Sequence, residues 1–226
     1  DQIGDIQYQT IYSISESPHQ FGKLYVGTDD GRVWTTEGPG PGGWSEITGE
    51  LPQGKFIAEI VASQHHEGRV YLVQNGKRDD DFTPYVWWTE DDGTNWQDLA
   101  GGIPIGPVNV IKEDPTDPNI LYVGTDVGAY ASLDGGATWQ VLGHGLPSTF
   151  VQAIVIHPTE DILVAGTHGL GVWVLDVRPL KGLDADKRGQ AVAVLATENM
   201  SAPSGGFRFF GGGGLPQTSV AYWLAE

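Results

Sequence analysis

The sequence has no cysteine, a single methionine, and only 12 lysines and arginines against 29 aspartates and glutamates. Without cysteine there is no disulfide framework, no thiolate metal site and no cysteine nucleophile, so packing and hydrogen bonding alone must hold the fold. The shortage of basic residues leaves a formal net charge of −17. Such a field repels phosphate backbones and anionic lipid, which makes nucleic acid and membrane surfaces poor partners. No apolar run reaches the roughly 18 to 20 residues of a membrane helix, so direct insertion by a helix is not expected. Also missing are a Gly-x-Ser-x-Gly elbow, a phosphate-binding glycine loop and a His-Glu-x-x-His pair, and with them the usual marks of serine-hydrolase, nucleotide and zinc-protease chemistry. The run Gly211 to Gly214 follows Phe209 and Phe210 with no helix to open.

What is present is 226 residues with 33 glycines and 14 prolines, spaced between short runs of β-branched and aromatic residues. That is the punctuation of many short strands, in a chain long enough to bury a sizeable core. The chain opens at Asp1 with no leader-like segment, as expected of a trimmed piece of something longer. Freedom from cysteine, acidity and eight tryptophans together point to an extracytoplasmic protein, periplasmic or secreted.

The chain repeats itself. Leu24-Tyr25-Val26-Gly27-Thr28-Asp29-Asp30-Gly31 recurs as Leu121-Tyr122-Val123-Gly124-Thr125-Asp126-Val127-Gly128, with a looser copy at Leu163 to Gly169 and an interrupted one at Val70 to Gly76. Gly124 and Gly166 are 42 residues apart, and Gly27 and Gly124 are 97 apart with one copy between them. Each unit reads as four short antiparallel strands, which is a β-propeller blade. The units are Gln9 to Thr48, Phe56 to Leu99, Pro107 to Leu142, and a fourth from Phe150 that fades after Leu175. The expected fold is therefore all-β: about three and a half propeller blades over residues 1–178, part of a larger ring. Residues 179–226 read as a linker and the start of a following β domain, with Val220 to Leu224 as its first strand.

Between the third and fourth strands of two units lie Thr89-Glu90-Asp91-Asp92-Gly93-Thr94-Asn95-Trp96 and Ser132-Leu133-Asp134-Gly135-Gly136-Ala137-Thr138-Trp139. In this S/T-x-D-x-G-x-T/N-W pattern the aspartate accepts backbone N–H bonds across a tight hairpin, glycine supplies the positive φ, and tryptophan caps the strand interface. The first unit keeps Thr36 and Trp44 but has no aspartate, so its turn is expected to be looser.

This motif is identified as the Asp-box, or bacterial neuraminidase repeat. With Asp79 to Val86, Glu113-Asp114-Pro115, Ile156-His157-Pro158 and Gly166 to Asp176, the chain resembles large bacterial sortilin-like, glycosyl-hydrolase-like Asp-box proteins from about Leu24 to Leu180. Ala221 to Leu224 looks like the entry to a domain those proteins carry after the propeller. The resemblance implies either peptide binding, as in sortilin-like relatives, or glycan hydrolysis by two aspartates, as in related xyloglucan-cleaving enzymes.

If strands run from inner to outer within each blade, the loops after the second strands gather Asp29, Asp30, Arg78, Asp126 and His168 on one face. The longest of these loops holds Asp79, Asp80 and Asp81, which can supply a general acid, a general base or oxygen ligands for calcium. They can equally be a solvated or loop-pinning run. Asp126 opposite one of them is the pair to test for hydrolysis, although Asp126 is expected to cap its own turn. Trp34, Trp87, Trp88 and Trp173 fall in third strands, as core packing or as a sugar platform. His157 and His168 fit turn-fixing roles, and His65-His66 is expected in an exposed hairpin with no role. The reading is a non-catalytic binding or assembly module for a protein or polysaccharide, its ring completed by remaining blades or other subunits. The alternatives are a glycoside hydrolase whose site is shared with other blades, and a structural subunit of a larger complex. No cofactor beyond that calcium is expected.

Overall fold

The computed structural model describes residues 10–40, 42–142, 146–183, 192–197 and 220–224. The chain divides into two compact units, 1–175 and 176–226. The first is a partial β-propeller of about three and a half blades. Blade one is β1 (Ile11–Glu16), β2 (Leu24–Thr28), β3 (Val33–Thr36) and β4 (Trp44–Glu46), and blade two is β5 (Phe56–Ala62), β6 (Val70–Asn75), β7 (Tyr85–Thr89) and β8 (Gln97–Asp98). Blade three is β9 (Val108–Glu113), β10 (Leu121–Thr125), β11 (Gly128–Ser132) and β12 (Gln140–Val141). Blade four has three strands among the described residues, β13 (Val151–Ile156), β14 (Ile162–Thr167) and β15 (Val172–Asp176). Within each blade consecutive strands pair antiparallel.

The core lies between blades. Tyr25, Val33 and Leu51 of blade one meet Ile57, Ile60, Val70 and Leu72 of blade two. Tyr71, Val73 and Val86 of blade two likewise meet Val108, Ile111, Leu121 and Val123 of blade three. A second strand is covered on both faces, so β6 and β10 are buried along their whole length and read as continuous apolar runs instead of alternating ones.

This packing explains the glycine of the repeat. A Cβ on Gly27 would lie 2.3 Å from Ile57 Cγ2, and one on Gly124 2.6 Å from Val151 Cγ1. In both places the first strand of the next blade closes down on a bare backbone.

The two tight corners share one hydrogen-bond plan. Asp91 Oδ1 accepts the Thr89 hydroxyl at 2.7 Å and the Asn95 N–H at 2.9 Å, while Thr89 Oγ1 accepts the Gly93 N–H at 3.1 Å. Asp134 Oδ1 accepts the Ser132 hydroxyl at 2.8 Å and the Thr138 N–H at 2.9 Å, and Ser132 Oγ accepts the Gly136 N–H at 2.8 Å. Gly93 and Gly136 stand at φ 87° and 97°, where a side chain is strained. Each tryptophan then reaches the preceding blade: Trp96 Nε1 donates to the Ile47 carbonyl and Trp139 Nε1 to the Leu99 carbonyl, both at 2.8 Å. In blade one Thr36 donates to the Gly22 carbonyl instead, and Trp44 is exposed.

Beyond the blades the linker opens on a helical turn, and one strand of the sequence reading needs correction. Residues Arg178–Lys181 form a single helical turn, α1, with Pro179 in its first turn, where its missing N–H costs nothing. Val220–Leu224 (β17) is not an opening strand: it pairs antiparallel with Val192–Thr197 (β16), the apolar run before it. Gln9, the rest of the charged stretch to Arg188, and the glycine runs at 205–206 and 211–214 lie outside the described residues.

Candidate functional site

Each first strand pairs with its second strand through a register shift at the same point, between Ile11 and Ser13, Ile57 and Glu59, Val108 and Val110, and Val151 and Ala153. The extra residue of a bulge is released from the ladder and re-aimed. Here the four released residues are Tyr12, Ala58, Asn109 and Gln152, and all four line one cavity of about 280 Å³. Phe56, Phe150, Asn75, Lys77 and Arg78 complete its wall. A second cavity of about 480 Å³ continues along the inner strands of blades two to four and shares Ala58, Asn109 and Gln152 with the first.

The loops after the second strands are stitched to the start of their own blades beside this cavity. The N–H of Asp29 donates to the Thr10 carbonyl at 3.0 Å, that of Asp126 to Pro107 at 3.1 Å, and that of His168 to Phe150 at 2.9 Å. Asp29, Asp126 and His168 thus hold one loop position in three blades, and Asn75 holds it in blade two. A polar chain links blades two and three: Asn75 Nδ2 donates to Asn109 Oδ1 at 2.8 Å, Asn109 Nδ2 to Asp126 Oδ1 at 2.9 Å, and Lys77 Nζ to Asp126 Oδ2 at 2.8 Å.

The predicted carboxylates are mostly occupied. Asp29 is buried and accepts the Thr10 N–H at 2.8 Å. Asp30 accepts the Thr28 hydroxyl and faces Arg32. Lys55 Nζ lies 3.4 Å from Asp79 Oδ2 and 3.1 Å from Asp81 Oδ2. Asp80 has left-handed backbone, φ 56°, at the end of the 3₁₀ turn Lys77–Asp79. Asp81 also accepts the Thr83 N–H at 3.0 Å and the Tyr85 hydroxyl at 2.8 Å. Bonding to Thr83 above all, with Tyr85 and Lys55, holds the Asp81 carboxyl well below the usual carboxylate range. A group so stabilised as the anion is a poor general acid. Among the described residues no three His, Asp or Glu side chains gather as a metal-binding group.

Asp126 does not cap its own turn. Thr125 does so, its hydroxyl accepting the Val127 N–H at 3.1 Å and donating to the Gly128 carbonyl at 3.0 Å, which frees the Asp126 carboxylate for Lys77 and Asn109. Of the third-strand tryptophans none lines either cavity, so they offer no sugar platform there. His157 Nδ1 takes the Glu160 N–H at 3.2 Å in its turn. His65 is not idle: its Nε2 lies 2.8 Å from the Asp114 carbonyl of the next blade.

The residues that sequence reasoning missed are the aromatic ones, Tyr12, Phe56 and Phe150, which meet the predicted Arg78 and His168. The Tyr12 and Phe56 rings meet edge-on at 5.3 Å, and Arg78 lies over Phe56 at 4.9 Å. Lys77 lies over Phe150 at 5.1 Å, and the His168 ring meets Phe150 edge-on at 6.0 Å. Among the described residues Arg78, the Tyr12 hydroxyl and the Gln152 amide have no hydrogen-bond or ion-pair partner. Deeper in the second cavity Glu59 pairs with Lys112 and accepts the Ile111 N–H at 2.7 Å. Burial nevertheless raises its pKa. Nothing in the one-dimensional pattern distinguishes Tyr12 or Phe56 from core residues; the cavity that both line does.

No family model matches the chain, and no curated protein matches it. Solved structures do. An ancestral GH74 enzyme aligns with a TM-score of 0.56 at 21% identity, covering 73% of this chain and 22% of its own. The GH74 xyloglucanase from Xanthomonas campestris gives a TM-score of 0.57 at 19% identity, over 72% of this chain and 26% of its own. YCF48 bound to D1 peptide gives 0.55 at 19% identity, over 74% of this chain and 50% of its own. At these identities the likeness establishes the propeller fold alone. The chain spans between about a fifth and a half of the length of these three structures.

Proposed function

We propose that this chain is a non-catalytic binding or assembly module of the Asp-box propeller type, and that its axial collar takes an extended protein segment bearing a carboxylate beside an apolar group. The observation that carries this reading is the collar of Tyr12, Phe56 and Phe150 with Arg78 laid over it and unpaired among the described residues. In a chain with 29 acidic residues, a guanidinium left without a carboxylate at a cavity rim is a place for a partner's acid. The apolar rings supply area, while Gln152 and Tyr12 supply hydrogen bonds to a peptide backbone. That the propeller YCF48 is seen with a peptide bound supports a protein partner. The shared corner plan at Asp91 and Asp134 supports the Asp-box assignment, and the cysteine-free, acidic composition supports a place outside the cytoplasm.

The test is titration of fluorescent peptides carrying an acidic residue next to Leu or Phe, against the same peptides with the acid amidated. Tight binding lost about tenfold or more on amidation and in Arg78→Ala supports the reading. Equal binding of both peptides, or an unchanged Kd in Arg78→Ala, overturns it.

Glycoside hydrolysis rests on one feature, Glu59, whose carboxyl is pushed up by burial inside the second cavity. It needs a second carboxylate about 5 to 9.5 Å away across a sugar. Release of reducing ends from xyloglucan, abolished in Glu59→Gln, is the result that would favour hydrolysis over binding.

A further inference from the structure

Two cations line the first cavity, Lys77 and Arg78, and no carboxylate does. They differ in what already holds them. Arg78 lies over Phe56 at 4.9 Å and has no hydrogen-bond or ion-pair partner among the described residues. Lys77 is both the start and the end of a closed ring of hydrogen bonds. Its backbone N–H donates to Asn75 Oδ1 at 2.9 Å, Asn75 Nδ2 to Asn109 Oδ1 at 2.8 Å and Asn109 Nδ2 to Asp126 Oδ1 at 2.9 Å. Its own Nζ then returns to Asp126 Oδ2 at 2.8 Å. Asn75 and Asn109 are buried, so the two amides that carry the ring are shielded from competing water.

Asp126 stands apart from the residues that share its loop position. Asp29 turns back on its own blade to accept the Thr10 N–H, Asn75 is neutral, and His168 meets the Phe150 ring. Asp79, Asp80 and Asp81 line neither cavity, and Asp79 and Asp81 face Lys55. Among the described residues, then, Asp126 is the carboxylate that reaches a cation of the collar wall. It does so from behind, since it lines neither cavity itself. Lys77 Nζ also lies 5.1 Å from the centre of the Phe150 ring, which keeps it in the wall by a second contact.

We infer, on the reading of the collar as a peptide site, that Asp126 sets the charge class of the ligand: it offsets Lys77, so that the collar takes a singly charged carboxylate and discriminates against doubly charged groups such as phosphate monoesters. Arg78 is left as the one cation of the wall with no counter-charge. One guanidinium matches one carboxylate through two parallel N–H···O bonds. A phosphate monoester carries about −1.5 to −2 at pH 7, and at the same place its second charge meets only a lysine already held by an anion. Desolvating a charge that finds no partner is costly, so the carboxylate is the better fit. Asp126 is here a positioning residue, acting through Lys77 without touching the ligand. Take its charge away, and the wall presents two cations to a dianion.

The test is titration of the whole chain with three fluorescent peptides that differ at one residue beside a leucine: glutamate, glutamine or phosphoserine. In the wild type the glutamate peptide should bind more tightly than the phosphoserine peptide. Asp126→Asn keeps an acceptor for Asn109 but removes the anion beside Lys77, and the ratio of the two dissociation constants should move about tenfold or more toward phosphoserine. The double variant Asp126→Asn, Lys77→Gln replaces the ion pair by two amides and should return the ratio to its wild-type value, which loss of a merely structural residue would not allow. Lys77→Gln alone leaves Asp126 unopposed and should weaken the glutamate peptide about tenfold while sparing the glutamine one. Thermal midpoints identify any variant that fails to fold. A wild type that prefers phosphoserine, an unchanged ratio in folded Asp126→Asn, or an unchanged glutamate affinity in Lys77→Gln overturns the inference and leaves the peptide reading standing. Glutamate and glutamine peptides bound alike by the wild type overturn the peptide reading, and the role of Asp126 with it.

Discussion

A carboxylate can hold a corner because its two oxygens accept several N–H and O–H groups at once, and Asp91 and Asp134 each do so. Asp134→Ala removes three hydrogen bonds to a charged acceptor, so the urea midpoint should fall by the equivalent of about 1–3 kcal/mol. Asp91 titrates low, from an ordinary 3.8 to about 2, chiefly because Asn95 and Thr89 donate to its anion. Its folded pKa lies below its unfolded one, so its contribution is complete above about pH 4 and is lost as pH falls through about 2. Denaturant midpoints measured from pH 5 down to pH 2 should therefore decline less steeply in Asp91→Asn than in the wild type. An equal slope in both would mean that Asn95 and Thr89 do not favour the anion.

Strands and blades are tied by contacts that single residues cannot reveal. Glu113 is buried between blades two and three, accepting the Ser63 hydroxyl at 2.8 Å, the Gln64 N–H at 2.7 Å and the Tyr71 hydroxyl at 3.2 Å. Glu113→Ala strands all three donors, and a loss of about 3 kcal/mol or more is expected, with Glu113→Gln recovering part of it. The repeat glycines separate packing from conformation, since Gly124 and Gly166 occupy the same place in their blades. Gly124→Ala forces a Cβ into Val110 and Val151, at a cost of about 1–3 kcal/mol. Gly166→Ala brings a Cβ into ordinary contact with Ala153, at 3.8 Å, and should change stability by less than about 1 kcal/mol, in either direction. Thermal melts of the two variants side by side decide this.

At the scale of the molecule the net charge of −17 and the cationic collar act over different distances. Beyond the Debye length, about 10 Å at 0.1 M salt, an acidic ligand feels the whole protein and is repelled. Once docked it feels Arg78 and Lys77. The association rate of an acidic peptide should therefore rise with salt from about 10 to 150 mM, while Arg78→Ala acts mainly by speeding dissociation. Stopped-flow traces showing association that slows with salt would mean that the local field of the collar, not the net charge, governs the approach.

The blades were legible in the sequence because a propeller repeats: Leu-Tyr-Val-Gly-Thr and the two aspartate corners recur at blade spacing, and alternation, turn residues and repeat length are local properties. The loop face carrying Asp29, Asp126 and His168 followed from strand order alone. What those side chains do was not legible. Asp126 turns from its own loop to Asn109 because Thr125 already caps the turn, and Asp79 and Asp81 are taken by Lys55, which lies in the connection from the blade before. The collar of Tyr12, Phe56, Phe150 and Arg78 comes from residues in blades one, two and four, and the bulge that releases Tyr12 into it leaves no compositional trace. Local sequence determined the elements, since backbone preference and periodicity act over a few residues. Only the tertiary structure decided the site, since its members meet through blade-to-blade packing, where a glycine in one blade is required by an isoleucine in the next.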